Sequence, residues 1–192
     1  MAASAVPFII LLLVLLAAAG TRASPPASET VEQICARATS SGAHRDLAPF
    51  CVSSLQAAPG SSGADARGLA AIATNLTLAN YTAAVATVKA LQRRSGWSAA
   101  ERGALATCRA RYIEALNVVH SAVHALAKGR LDDYAADMGV VRKAATDCDG
   151  AFGGAGNSSE SGAAPAASPM RKVNRDAVDL TTVATLIVRA LE

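Results

Sequence analysis

Residues 105–152 read LATCRARYIEALNVVHSAVHALAKGRLDDYAADMGVVRKAATDCDGAF, and their spacing decides the fold. Apolar or small residues recur in steps of three and four at Leu105, Cys108, Tyr112, Ala115, Val119, Ala122 and Leu126. After Lys128-Gly129 the pattern restarts at Leu131, Tyr134, Met138, Val141, Ala145, Cys148 and Phe152. Two such seams of period 3.5 predict two long helices packed as in a left-handed bundle. A short turn between them makes the pair antiparallel. In a helical hairpin, residues equidistant from the turn lie side by side. The midpoint of Cys108 and Cys148 is Lys128, so their sulfurs are predicted to meet. The midpoint of Cys35 and Cys51 is Ala43, inside the turn-like SSGAH, and the same argument pairs them. No C-x-x-C spacing is present among the four cysteines, which argues against zinc.

Outward from this hairpin the chain divides readily. Residues 29–58 read as a helical hairpin around SSGAH. APGSSGAD, residues 58–65, breaks the pattern. A long helix follows from about Ala64 to Arg94, with an apolar stripe at Leu78, Tyr81, Val85 and Val88. Ser95-Gly96 ends it, and Ser98-Ala-Ala-Glu101 is a capping box that opens the next helix. GGAGNSSESGAAPAASP, residues 153–169, reads as a linker. A last helix carries Val173, Ala177, Leu180, Ala184, Ile187 and Leu191. The expected fold is all-α: an up-down four-helix bundle over residues 64–192, an N-terminal helical hairpin over 29–58, and two disulfides.

Composition agrees. Apolar residues make up 52% of the chain and aromatics only 4%, the excess being 46 alanines. Alanine favours helix, and the scarcity of β-branched and aromatic residues excludes an all-β sandwich. A net charge of +3 without a clustered basic face excludes a nucleic-acid partner.

The run FIILLLVLLAAA, Phe8 to Ala19, is short for a transmembrane helix and has the length of a signal-peptide core. A signal peptide over residues 1–23 is expected, with cleavage after Ala23 or Gly20. No second hydrophobic segment is read, so no membrane partner is expected. Three sequons, at Asn75, Asn80 and Asn157, fit a secreted glycoprotein.

Catalytic chemistry needs converging polar groups, and the sequence offers none. His120 and His124 lie four apart on one helix face, but Ser121 stands where a zincin needs glutamate. His44 falls in a turn. Ser158 and Ser159 lack a nucleophile elbow, and the glycines at 153, 154 and 156 follow no strand. Asp132, Asp133, Asp137, Asp147 and Asp149 spread along one helix as a solvated face. Arg93/Arg94 and Arg109/Arg111 read as surface charge. No catalytic residue, metal or cofactor is expected, and the protein is read as acting by its surface.

Several segments carry a family resemblance: VEQICARAT with Cys35, DLAPFCVSSL with Cys51, and WSAAERGALATCRARYIEAL with Cys108. ALAKGRLDDYAADMGVVRKAATDCDGAF with Cys148 and the tail NRDAVDLTTVATLIVRAL complete it. Together with C-x-x-x-Y at Cys108–Tyr112 and C-x-x-x-F at Cys148–Phe152, these resemble the plant invertase and pectin methylesterase inhibitors. The resemblance implies the same bundle and the same two disulfides. It also implies a secreted, apoplastic, non-catalytic inhibitor that binds a cell-wall enzyme one to one over its active-site cleft. The invertase inhibitors carry a Pro-Lys-Phe element just after a Lys-Gly at the second hairpin turn. Here Lys128-Gly129 is followed by Arg130-Leu131-Asp132-Asp133-Tyr134. The expected target is therefore pectin methylesterase, with acid invertase as the alternative, since DCDGAF and SPMRKVNRD look like invertase-type members. The target-binding residues are left open. Carboxylates such as Asp132, Asp133 or Asp137 at the contact would make binding pH-dependent. The rival readings are a cytokine-like helical ligand, a carrier of small apolar molecules and an enzyme.

Overall fold

The structure is a computed structural model and describes residues 29–156 and 168–191. The expected signal peptide, Asn157 and most of the linker lie outside the described residues. Six α-helices are present among these residues: α1 (Val31–Ala38), α2 (Ala48–Gln56), α3 (Ala66–Gln92), α4 (Ala99–Ala127), α5 (Leu131–Gly156) and α6 (Arg171–Arg189). Short 3-10 turns at Gly42–Leu47 and Ser61–Gly63 stand where the sequence breaks its pattern. The all-α bundle expected from the seams is the observed one.

The helix ends follow from local chemistry. Thr30 and Gln33 form a capping box at α1, and Asp65 accepts from the Gly68 N–H at 2.7 Å to start α3. At α4 the Ser98 N–H donates to Glu101 at 2.8 Å and the Glu101 N–H donates to Ser98 Oγ at 3.2 Å. These hydrogen bonds hold the Glu101 carboxyl below its ordinary value, the Ser98 backbone N–H being the main cause. Trp97, the only tryptophan, donates its indole N–H to the Leu91 carbonyl at 2.8 Å and so closes the end of α3.

Helices α3 to α6 form the bundle, each packed on its neighbours in chain order, with α6 closing back on α3. The α4–α5 contact is the most extensive. Its cause is visible in the seam: Ala115, Ala122, Ala125, Ala144 and Ala145 are all buried, and small side chains let two helices approach closely. The Cys108–Cys148 disulfide sits within this seam, with the two Cα atoms 4.4 Å apart. Cys35–Cys51, with Cα atoms 5.8 Å apart, joins α1 to α2. That pair of short helices packs on α6 and the start of the bundle.

Two sequence expectations need correction. The α3 stripe of Leu78, Tyr81, Val85 and Val88 packs on the core with Leu78 only half-buried, and it also takes in Thr74 and Thr77, which are buried. Each threonine donates its hydroxyl to the carbonyl four residues back, Ala70 or Ala73, which satisfies the group inside the helix. On α6, Val173 and Leu180 are half-buried, whereas Asn174 and Thr181 are buried. In addition, α3 has the length and mean hydropathy (1.2) to cross a membrane, a feature the sequence reading passed over. Its apolar residues Leu69, Tyr81, Val85 and Val88 are instead packed against the other helices.

All three tyrosines, Tyr81, Tyr112 and Tyr134, are buried. Tyr81 and Tyr112 meet edge to face, with ring centroids 5.1 Å apart. Burial pushes the phenols of Tyr81 and Tyr134 up to about 12, and raises that of Tyr112 as well. An unfolded tyrosine ionises near 10, as is usual for a free phenol. The folded chain therefore keeps protons that the unfolded chain releases. This contribution to stability is complete below about pH 10 and is lost as the pH rises towards about 12. In an alkaline titration, tyrosinate absorbance is expected to rise together with the loss of helical circular dichroism. Ionisation of a tyrosine near pH 10, roughly the value of a free phenol, while the helices remain intact would contradict the burial described.

Candidate functional site

The α4–α5 turn is built by a short set of hydrogen bonds. The Gly129 N–H donates to the Leu126 carbonyl at 3.0 Å, and the Arg130 N–H reaches the Ala125 carbonyl at 2.9 Å. This is a Schellman motif, which needs a left-handed residue, and Gly129 supplies it at φ +69°. The chain re-enters helix at Leu131. The Tyr134 N–H already donates to the Arg130 carbonyl at 3.0 Å, and the Arg130 guanidinium lies 3.1 Å from Asp133. The turn is thus tight and carries no projecting element.

Farther along the same hairpin, about 16–27 Å from Gly129 at the helical rise, a groove of about 280 Å³ lies between α4 and α5, lined in part by Arg111, Glu114, Val140, Lys143 and Asp147. Val140 is 49% exposed and Ile113 on α4 is 42% exposed; among the described residues these are the large hydrophobic side chains most open to solvent. Arg111 is 3.0 Å from Glu114 and 3.6 Å from Asp147, which also pairs with Lys143. Arg111, Glu114 and Lys143 are exposed and Asp147 is half-buried at the surface, so each pair contributes roughly 0–1 kcal/mol. Their role is to set the charge pattern around Val140 rather than to hold the fold.

The other sequence candidates separate. His120 and His124 are both exposed on α4, and no group of three metal-ligating side chains forms among the described residues. Asp132 is exposed at the first turn of α5, Asp133 pairs with Arg130, and Asp137 is half-buried. Asp147 belongs to the groove. Asp149 accepts from the Asn174 amide at 3.1 Å. Arg93, Arg94 and Arg109 are exposed. Asn75 is exposed on α3; Asn80 is half-buried and its Oδ1 is buried with no hydrogen-bond partner among the described residues.

Sequence reasoning missed a polar chain through the core. The Tyr112 hydroxyl donates to Asn174 Oδ1 at 2.6 Å, and Asn174 donates onward to Asp149. It ties α4, α6 and α5 together at one level of the bundle. The Tyr134 hydroxyl lies 2.8 Å from Thr74 Oγ1, whose proton is committed to Ala70, and the Tyr81 hydroxyl donates to the Val141 carbonyl at 2.7 Å. The recurrence of tyrosine and threonine on otherwise apolar seams was the available signal.

A four-helix bundle stapled between α4 and α5, with a stapled pair of short helices packed on it, is the architecture that the family comparison explains. Residues 29–187 match the family described as plant invertase/pectin methylesterase inhibitor. The chain belongs to this family. The match begins just before α1 and ends within α6, so it takes in both cysteine pairs and every helix of the bundle. No curated protein matches the chain. Members of the plant invertase/pectin methylesterase inhibitor family are inhibitors rather than enzymes, and are generally extracellular. Membership makes the chain an inhibitor of pectin methylesterase or of invertase.

Proposed function

We propose that the protein is secreted and inhibits a pectin methylesterase, docking one to one and covering its active-site cleft. One observation carries the choice of target. The α4–α5 turn closes on itself at Gly129, and α5 resumes at Leu131 with Arg130 drawn back to Asp133. It offers nothing like the Pro-Lys-Phe element of the invertase inhibitors at the same place. The contact is proposed on the α4–α5 face around Val140, where an exposed apolar side chain stands among paired charges. Interfaces concentrate their energy in such apolar centres ringed by polar groups. The Cys108–Cys148 disulfide cross-links the two helices of this face, so docking orders little that was mobile before.

The test is inhibition by the oxidised protein of a plant pectin methylesterase and a plant acid invertase, assayed side by side at mildly acidic pH. Loss of pectin methylesterase activity alone is expected. Loss of invertase activity alone would reverse the assignment, in line with the invertase-like DCDGAF and SPMRKVNRD segments. Val140→Asp is expected to weaken inhibition by about tenfold or more, as for a central interface residue. Its melting temperature should stay unchanged, because the side chain is exposed. Equal inhibition by this variant would remove the α4–α5 face from consideration.

Glycosylation is proposed at Asn75 and not at Asn80. The first is open on α3; the second is half-buried, and the amide oxygen next to its glycan-accepting nitrogen is enclosed. After expression in a eukaryotic host, Asn75→Gln is expected to remove one glycan from the glycosidase-sensitive mass shift, whereas Asn80→Gln is expected to leave the shift unchanged. The reverse result would overturn the assignment.

A further inference from the structure

A second pocket, of about 200 Å³, lies where the Gly42–Leu47 turn meets α5 and α6. His44 comes from the turn, Arg142 from α5 and Arg189 from α6, and no carboxylate lines the pocket. Among the described residues none of these three is ion-paired. The α4–α5 groove differs in this respect, since its Arg111 and Lys143 are neutralised by Glu114 and Asp147. Two arginines drawn from different helices to one concave wall favour a planar anion, above all a carboxylate.

The remaining wall narrows the chemistry further. Thr182 donates its hydroxyl to the Val178 carbonyl at 2.7 Å, and Thr185 donates to the Thr181 carbonyl at 2.8 Å. Each hydroxyl has one proton and has already given it. Both oxygens can therefore accept, and cannot donate to a phosphate or sulfate. A ligand that satisfies them must bring hydroxyl groups of its own. Ala135 and Leu186 supply the apolar part of the wall, against which a C–H face can lie. The volume is below the ~300–1,000 Å³ of pockets for drug-sized ligands and suits a single ring.

We infer that this pocket binds one uronate unit: a sugar-sized carboxylate held by Arg142 and Arg189, with its hydroxyls donating to Thr182 and Thr185. The inference does not rest on which enzyme the α4–α5 face inhibits. A free uronate or one unit of an acidic polysaccharide would meet the same chemistry. The inhibitor would in the second case be held on the polymer that surrounds its target.

The test is a nuclear magnetic resonance titration of the oxidised protein with galacturonate, tri-galacturonate, galactose, acetate and inorganic phosphate. Saturable shifts are expected at Arg142, Thr182 and Thr185 for galacturonate. Galactose, acetate and phosphate are each expected to bind about tenfold more weakly or worse, since each lacks one half of the match. Arg142→Gln should weaken galacturonate by about tenfold while leaving the melting temperature in place. Thr185→Val should weaken galacturonate and leave acetate unaffected. Tri-galacturonate binding at least as well as the monomer would assign the site to a chain; monomer binding alone would assign it to a free uronate. Acetate or phosphate binding as tightly as galacturonate, indifference to Arg142→Gln, or no saturable binding would each overturn the inference.

Discussion

Replacing Cys108 and Cys148 together by alanine is expected to lower the melting temperature by about 8–16 °C. The disulfide closes a separation of 40 residues. By loop entropy such a link is worth about 4 kcal/mol, and each kcal/mol moves the transition of a chain this size by about 2–4 °C. Both sulfurs are buried in the α4–α5 seam, so the alanines also leave a small void. The separation at Cys35–Cys51 is only 16 residues, which puts its loss nearer 3 kcal/mol. Differential scanning calorimetry of the two double variants decides the matter. A smaller loss at Cys108/Cys148 than at Cys35/Cys51 would mean that the α4–α5 seam holds without its cross-link.

The second large effect is expected at Tyr112. Its ring is fully enclosed, meets Tyr81 edge to face and fills the space between α4 and the neighbouring helices. Tyr112→Ala is expected to cost about 3–5 kcal/mol, as for other large aromatic truncations in a core. Tyr112→Phe keeps the ring and removes only the hydroxyl that bonds Asn174. Asn174 is buried, so its carbonyl oxygen is left without that donor, at about 1–3 kcal/mol. Urea denaturation of both variants separates packing from polar pairing. A phenylalanine variant as damaged as the alanine one would show that the hydrogen bond, not the ring, dominates this level of the core.

The fold was legible where hydropathy and geometry coincide. The seam from Leu105 to Leu126 is buried as its spacing predicts, and so is the second seam from Tyr134 to Phe152, although its first residue, Leu131, is only half-buried. The Ser98/Glu101 capping box could be read because it needs only two residue types at one interval. Reading failed at Thr74, Thr77, Asn174 and Thr181, which look like surface residues. Their polar groups are satisfied by backbone carbonyls of the same helix or by Tyr112, and this pairing makes them cheap to bury. Periodicity cannot display such pairing, because the partner of Asn174 lies 62 residues away.

The surface sites were less legible still. The groove around Val140 joins residues of two helices, and the pocket of His44, Arg142 and Arg189 joins three distant segments. No local spacing announces either. What the sequence did carry was an absence of motif: Arg130-Leu131-Asp132 after Gly129 departs from the invertase-inhibitor pattern. The structure gives that departure a physical form, a turn closed by its own hydrogen bonds.

The packing of α4 against α5 divides labour among residues. Alanines, tyrosines and cysteines facing inward determine the shape, while Arg111, Glu114, Val140 and Lys143 face outward and make almost no contribution to it. Recognition can therefore be rewritten one exposed position at a time, with the framework left standing. A single scaffold of this kind can diverge towards different enzymes, or be regrafted in the laboratory, without passing through an unfolded intermediate sequence.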